Sequence, residues 1–266
     1  MKAPSFAYAK PRTLAQALEL LARHGEGARI LAGGQSLIPT LNMRLSSPEI
    51  LIDITGLPGL NEINNNGKSV KIGALVTHSQ IEKSPEVRQH VPLLAQAVPH
   101  IAHAAIRNRG TLGGSLALAD PAAEYPACAV ALQATIVISS SKGERRVKAE
   151  EFFKGLFETD LKQGEILTAA EFPSGGKSAF LELTRRHGDY AIIGLAVHES
   201  RFVFFNAGAT PVFAKQASSS GNLKDALSAL KKELSPPADL YNTSATKLHL
   251  AGVLLERAWN TLSTSR

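Results

Sequence analysis

Between positions 13 and 24 the apolar residues Leu14, Ala17, Leu18 and Leu21 recur at three- and four-residue spacing, which lines them along one face of an amphipathic helix. Thr13, followed three residues later by Gln16, has the form of a capping box, and Gly25 supplies a stop. The pattern then shortens. Ala28-Arg29-Ile30-Leu31-Ala32 is a brief apolar run ending in Gly33-Gly34, and Ile50-Leu51-Ile52-Asp53-Ile54 is a second, closed by Gly56. Both predict buried strands, so residues 1–55 read as a small α/β lobe.

From Val70 the texture changes. Strands are predicted over 70–74, 135–139 and 166–172, with a turn at Lys142-Gly143 returning the chain through 145–147. Segment 91–106 is rich in Ala and predicts helix interrupted at Pro92 and Pro99, and 127–131 predicts more helix. Ser174-Gly175-Gly176, just after Pro173, is the best candidate boundary. It divides the chain into 1–173, with a larger lobe over 56–173, and a C-terminal domain over 174–266. In the latter, 179–185, 191–197 and 202–206 predict a three-stranded meander, its last pair joined through His198-Glu199-Ser200. Helices over 222–234 and 243–262 follow, separated by Ser235-Pro236-Pro237. Helical and strand patterns do not strictly alternate, which favours an α+β fold over a doubly wound parallel sheet.

Composition narrows the function. No apolar run approaches the roughly 18 residues of a membrane span, and the N-terminus lacks a signal-peptide apolar region, so a cytoplasmic location is expected. The one cysteine, Cys128, cannot form an internal disulfide or a four-ligand zinc or iron–sulfur site. It reads as a small buried residue. The net charge of +6 raises nucleic-acid binding, but the basic residues never run longer than two. An attraction for a polyanionic cofactor or an acidic partner fits better. The histidines show no paired metal spacing, and no metal is expected on this chain.

Two double-glycine turns carry the candidate chemistry. Gly33-Gly34 follows a strand and is followed by Gln35-Ser36-Leu37. Arg107-Asn108-Arg109-Gly110-Thr111-Leu112-Gly113-Gly114-Ser115 repeats the pair with flanking hydroxyls and two arginines. Adjacent glycines free backbone N–H groups to converge on an anion, and hydroxyls and guanidinium groups suit a pyrophosphate. Either turn alone is also explained as a plain tight turn. Neither has the Rossmann glycine spacing or the Walker lysine. Downstream, Glu124 can accept hydrogen bonds from ligand hydroxyls or stand as a solvated loop carboxylate. Tyr190 can stack on a flat ligand or pack as a rim tyrosine.

AGGQSLIPTLNMRLSSPEILIDI (32–54), IRNRGTLGGSLALADPAAEYPA (106–127), GEILTAAEFP (164–173) and RRHGDYA (185–191) together resemble the motifs of the FAD-binding subunits of molybdenum hydroxylases. That group includes the medium subunit of aerobic carbon monoxide dehydrogenase and the flavin part of xanthine dehydrogenase. The resemblance implies a vanillyl-alcohol-oxidase-type FAD domain with a small parallel lobe and a larger antiparallel lobe, then a small domain of a three-stranded sheet with helices. It implies that Ile30, Leu31, Ala32, Gly33, Gly34, Gln35, Ser36 and Leu37 hold the pyrophosphate together with Thr111, Leu112, Gly113, Gly114 and Ser115. It places Glu124 on the flavin's sugar hydroxyls, Leu167 near the ring system and Tyr190 against one of its faces, and counts Ala102 among the cofactor-binding residues. FAD is then the cofactor here, with [2Fe-2S] clusters on a small partner subunit and molybdopterin on a large one, as a dimer of heterotrimers. The chain would pass electrons from those clusters to an external acceptor, with no catalytic residue of its own. A stand-alone flavoprotein oxidase or reductase and a non-catalytic nucleotide-binding assembly protein are the alternatives. Four features depart from the family pattern: Ser115, Glu182, a short hairpin at 198–200, and Lys247-Leu248.

Overall fold

A computed structural model describes residues 2–264. Strands β1 (Ala7–Ala9), β2 (Ala28–Leu31) and β3 (Ile50–Asp53) form a parallel sheet in the order β1-β3-β2. Helix α1 (Leu14–His24) connects β1 to β2 and buries Ala17, Leu18 and Leu21, the face that the apolar spacing marked. Only half of the expected capping box forms. Thr13 Oγ1 accepts the Gln16 N–H at 3.2 Å, but Gln16 Oε1 accepts from Arg12 instead of Thr13. The short helix α2 (Leu37–Asn42) follows the first glycine turn. The edge strand β1 carries no periodic signal because Ala7 and Tyr8 are exposed.

The second sheet is antiparallel throughout, in the order β4-β5-β10-β6-β7. Its strands are β4 (Ile63–Asn65), β5 (Ser69–Gly73), β6 (Thr135–Ser140), β7 (Gly143–Lys148) and β10 (Ile166–Pro173), while β8 (Phe153–Gly155) and β9 (Glu158–Thr159) make a separate hairpin. Between β5 and β6 run six short helices: α3 (His78–Lys83), α4 (Pro85–His90), α5 (Pro92–Ala97), α6 (Ala104–Arg107), α7 (Leu112–Leu118) and α8 (Glu124–Ala131). The short helix α9 (Ala149–Phe152) follows β7. Pro92 starts α5 instead of interrupting a helix, since the first helical position has no use for its missing N–H. Every residue of α8 is buried; a helix surrounded by core carries no amphipathic period to read.

The third sheet runs β11 (Ser178–Leu183), β12 (Ile193–His198), β13 (Arg201–Phe205) and β14 (Val212–Phe213) in sequential antiparallel order. It has four strands where the sequence predicted three, because a two-residue strand is too short to show alternation. Helices α10 (Lys215–Ser218), α11 (Leu223–Glu233) and α12 (Ser244–Thr264) follow. Leu195, Val197, Phe202 and Phe204 pack with Leu230, Leu254 and Leu255 from α11 and α12. Ala196, Val203 and Phe205 belong to the large core that includes α8. The sheet is therefore buried on both faces, and its inner face shares a core with the preceding region. Among the described residues no helix is long and apolar enough to cross a membrane.

Gly194 pairs with Phe205 across the sheet, and a Cβ there would meet the Phe205 ring, including Cε2 at 2.6 Å. That ring is fully buried and stacked on Phe180 at 5.6 Å between centroids. Gly194→Ala is expected to overpack this contact and lower stability by about 1–3 kcal/mol, read from urea unfolding; an unchanged midpoint would mean the ring has room to shift.

Candidate functional site

The two glycine turns meet. A Cβ at Gly33 would strike the Arg109 carbonyl oxygen and lie 2.9 Å from Gly110 Cα, so only glycine lets the first turn lie this close to the start of the second. Gly34 adopts φ +74, and its carbonyl accepts the Ile38 N–H at 3.0 Å. The Ser36 carbonyl accepts from Thr40 N–H at 3.1 Å and from its hydroxyl at 2.8 Å. With the carbonyls turned into α2, the N–H groups of residues 33–37 have no acceptor among the described residues. Such a run of free amides at a chain turn is a concave anion site.

The second turn is built differently from the symmetrical pair of nests that the sequence suggested. Leu112 N–H donates to Val76 O at 3.0 Å and Gly113 N–H to Ala74 O at 2.9 Å. Gly114 N–H donates to Thr111 Oγ1 at 3.1 Å, and Ser115 N–H to Thr111 O at 3.0 Å. These four amides are engaged within the protein. Gly113 is glycine for proximity, since its Cβ would sit 2.5 Å from the Ala74 Cβ. The Thr111 N–H and the Ser115 hydroxyl are left without an intrachain partner among the described residues.

The two arginines also divide. Arg107 binds Glu82 through Nε and Nη2 at 3.0 and 3.4 Å, and the Ile101 and Ala102 carbonyls through Nη1 at 3.2 and 3.0 Å. It braces the chain and is not free for a phosphate; Arg109 is exposed. Beneath the turn lies His78, whose N–H donates to the Gly110 carbonyl at 3.0 Å. Its ring packs against Tyr125 at 5.2 Å. Burial, assisted by the Arg107 charge, holds the imidazole at a pKa of about 4 and hence neutral near pH 7.

Ala102, Glu124 and Tyr190 form a second group. Ala102 adopts φ 43, and its carbonyl would lie 2.8 Å from a Cβ at Gly188, two residues before Tyr190. Tyr190 is 71% exposed, in the connection before β12 and not at the strand's start. Its pKa is raised by partial burial and by the charges of Asp120 and Glu124. Glu124 is buried, not the solvated loop residue of the alternative reading. Burial pushes its pKa up to about 8 against the pull of its own amide, and Glu182 and Asp120 add to the rise. Glu182, with its side chain 3% exposed, bonds His100 Nδ1 at 3.1 Å through Oε1, while Oε2 is buried without a partner. Leu167 packs its side chain in the large core; it is the next carbonyl, of Thr168, that reaches the turn by accepting the Ala74 N–H at 2.8 Å. Ala74, Thr77, His78 and Asp120 escaped the sequence reading. The only local signal was Thr77 with Gln80, which does form a full capping box ahead of α3.

Residues 4–175 match the family model described as the FAD binding domain in molybdopterin dehydrogenase. The alpha subunit of the 6-hydroxypseudooxynicotine dehydrogenase complex from Paenarthrobacter nicotinovorans is 36% identical, over 97% of this chain and 94% of that protein. Among solved structures, carbon monoxide dehydrogenase from Hydrogenophaga pseudoflava superposes with a TM-score of 0.93 at 34% identity, covering 98% of both chains. Quinoline 2-oxidoreductase from Pseudomonas putida 86 gives 0.93 at 35%, covering 100% of this chain and 99% of that one. The run of free amides, the glycine-enforced contact between the turns and these matches lead to one assignment: the chain is a mixed α/β protein of the family of FAD-binding domains of molybdopterin dehydrogenases.

Proposed function

We propose that this chain is the FAD-carrying electron-transfer subunit of a molybdenum hydroxylase complex, taking electrons from iron–sulfur clusters on a small partner subunit. A large molybdopterin subunit would oxidise the substrate, and an external acceptor would reoxidise the flavin; the heterotrimer, paired into a dimer, and its cytoplasmic setting are part of the same reading. In this scheme the region up to 173 is the vanillyl-alcohol-oxidase-type FAD domain, with lobes 1–55 and 56–173, and 174–266 is the C-terminal domain. The parallel and antiparallel sheets on either side of residue 55 support that division.

The observation that carries the proposal is the contact of Gly33 with Arg109 and Gly110, because it sets the unpaired amides of residues 33–37 beside Thr111. A turn of N–H groups that lack acceptors, held against the Arg109–Gly110 backbone by a contact with no room for a Cβ, fits a diphosphate. Those of Gly33, Gly34, Gln35, Ser36 and Leu37 would hold it with the Thr111 N–H and the Ser115 hydroxyl. Ile30, Leu31 and Ala32 bring the chain to the turn, and Leu112, Gly113 and Gly114 allow close approach without lending amides. Glu124, neutral near pH 7, has an O–H to donate to a sugar hydroxyl and an oxygen to accept from one. Ala102, the backbone after Leu167, and Tyr190 would border the ring system. Bound FAD supplies the exchange between one-electron donors and a two-electron acceptor, while the protein binds, orients and shields it.

Purified protein is expected to carry FAD at one equivalent and to lack steady-state turnover of small substrates without its partners. Colourless protein that fails to take up FAD would end the proposal, and robust unaided turnover would favour a self-contained oxidase. Gly33→Ala forces the two turns apart and is expected to weaken FAD binding at least about tenfold, measured by flavin fluorescence titration; unchanged affinity would separate the contact from the cofactor.

Glu124 generates a pH prediction. Its folded pKa of about 8 stands above the ordinary 4.5, so its contribution to stability is fully present below pH 4.5 and is lost as pH rises through about 8. In FAD-free protein, Glu124→Gln is therefore expected to gain stability on the parent as pH rises through that window, by at least about 1 kcal/mol at pH 9 relative to pH 5. Parallel urea midpoints across that range would contradict the assignment.

A further inference from the structure

Lys247 is 1% exposed, an ammonium group on α12 within the C-terminal region. A charge buried so completely is costly unless it is paired, and its partner is Asp239, with Nζ to Oδ2 at 2.8 Å. The other carboxylate oxygen accepts the Tyr241 and Asn242 N–H groups, both at 2.8 Å, and Asn242 Nδ2 at 3.2 Å. The Asp239 N–H closes the turn on the Asn242 carbonyl at 2.9 Å. Lysine and turn together hold the Asp239 carboxyl well below the usual range, so it stays a carboxylate.

That turn does something unusual for a tied surface loop: it presents Leu240, 87% exposed, and Tyr241 outward. The Tyr241 ring lies under the Arg185 guanidinium at 4.3 Å. Arg185 stands at the start of the connection between β11 and β12, and Tyr190 lies near its end. The rest of that connection is held by several contacts, and the Ile192 N–H closes its base on the Leu183 carbonyl at 2.7 Å. Gly188 abuts the Ala102 carbonyl, and Asn206 Nδ2 donates to the Ala191 and Ile192 carbonyls at 2.6 and 3.2 Å. Arg185 on Tyr241 is the side-chain anchor at the β11 end.

We propose that α12 clamps the Tyr190 loop: buried Lys247 holds Asp239, Asp239 ties the 239–242 turn, and Tyr241 on that turn grips Arg185, so that Lys247, Asp239 and Tyr241 are positioning residues for Tyr190. The clamp acts through one chain of contacts from the interior of the C-terminal region to the loop that borders the flavin. Its consequence for the flavin rests on the reading of Tyr190 given above.

The test uses the full chain loaded with FAD and two readouts: hydrogen exchange of the 185–190 amides, and quenching of flavin fluorescence by iodide. Tyr241→Ala and Lys247→Met are expected to speed exchange in this loop about two- to fivefold, the size of one exposed cation–π contact. Both are expected to raise iodide access in the same direction as Tyr190→Ala, and Tyr241→Phe, which keeps the ring, to behave like the parent. Tyr241 is exposed, so its variants fold even if Lys247→Met does not. Unchanged exchange in Tyr241→Ala would overturn the clamp. So would faster exchange with unchanged quenching where Tyr190→Ala does raise it. If Tyr190→Ala itself leaves quenching unchanged, the placement of Tyr190 beside the flavin fails separately, and the exchange rates still decide the clamp.

Discussion

The close approach of Gly33 to the Arg109–Gly110 backbone organises the rest of the site. It is a contact between main chains, with no room for a methyl group, and it joins the parallel lobe to the helical connection beside the antiparallel sheet. From it a line of short contacts continues inward: Gly110 to His78, Gly113 to Ala74, and Ala74 to Thr168 on the central strand β10. Each link is a backbone hydrogen bond or a contact that requires glycine, so the geometry is set by rigid elements and not by flexible side chains. The same rigidity explains the unequal turns. The second is consumed in making this line, which leaves the first to offer its amides outward.

Around the opposite end of the site the physics is electrostatic. Asp120, Glu124 and Glu182 are carboxyls in or beside a low-dielectric wall, and the pKa values of Asp120 and Glu124 are raised chiefly by burial. Glu182 meets His100, so the pair offers one buried oxygen with a partner and one without. A neutral carboxyl at Glu124 follows chiefly from that burial, with its acidic neighbours adding to the effect. It also gives the residue a proton to donate, which a solvated carboxylate would lack.

Much of this was legible in the residues, and the failures have physical reasons. Helix α1, strands β2, β3, β5, β6 and β10 and both long C-terminal helices announced themselves by period and by glycine or proline punctuation. Strand β14 and edge strand β1 did not, being too short or too exposed to alternate. Both glycine pairs were visible, but glycine permits a nest and a close contact alike, and only the acceptors that take up the second turn's amides, Val76 and Ala74 among them, distinguish the two. Arg107 looked like a phosphate ligand because its guanidinium lies just upstream of a glycine pair flanked by hydroxyls; its real partners, Glu82 and two carbonyls, are brought to it by the fold. Lys247 stood out only as a departure from the family pattern. Its role depends on Asp239, eight positions away across a turn no periodicity describes.

In the proposed function one glycine turn supplies amides to the diphosphate while the other supplies proximity. Amide-resolved hydrogen exchange, or NMR shifts of the backbone N–H groups, on adding FAD to the cofactor-free chain tests it most directly. New protection is expected at residues 33–37 and at Thr111, with Leu112, Gly113, Gly114 and Ser115 already protected and unchanged. Protection that appears at 112–115 instead, with 33–37 still exchanging freely when FAD is bound, would contradict it.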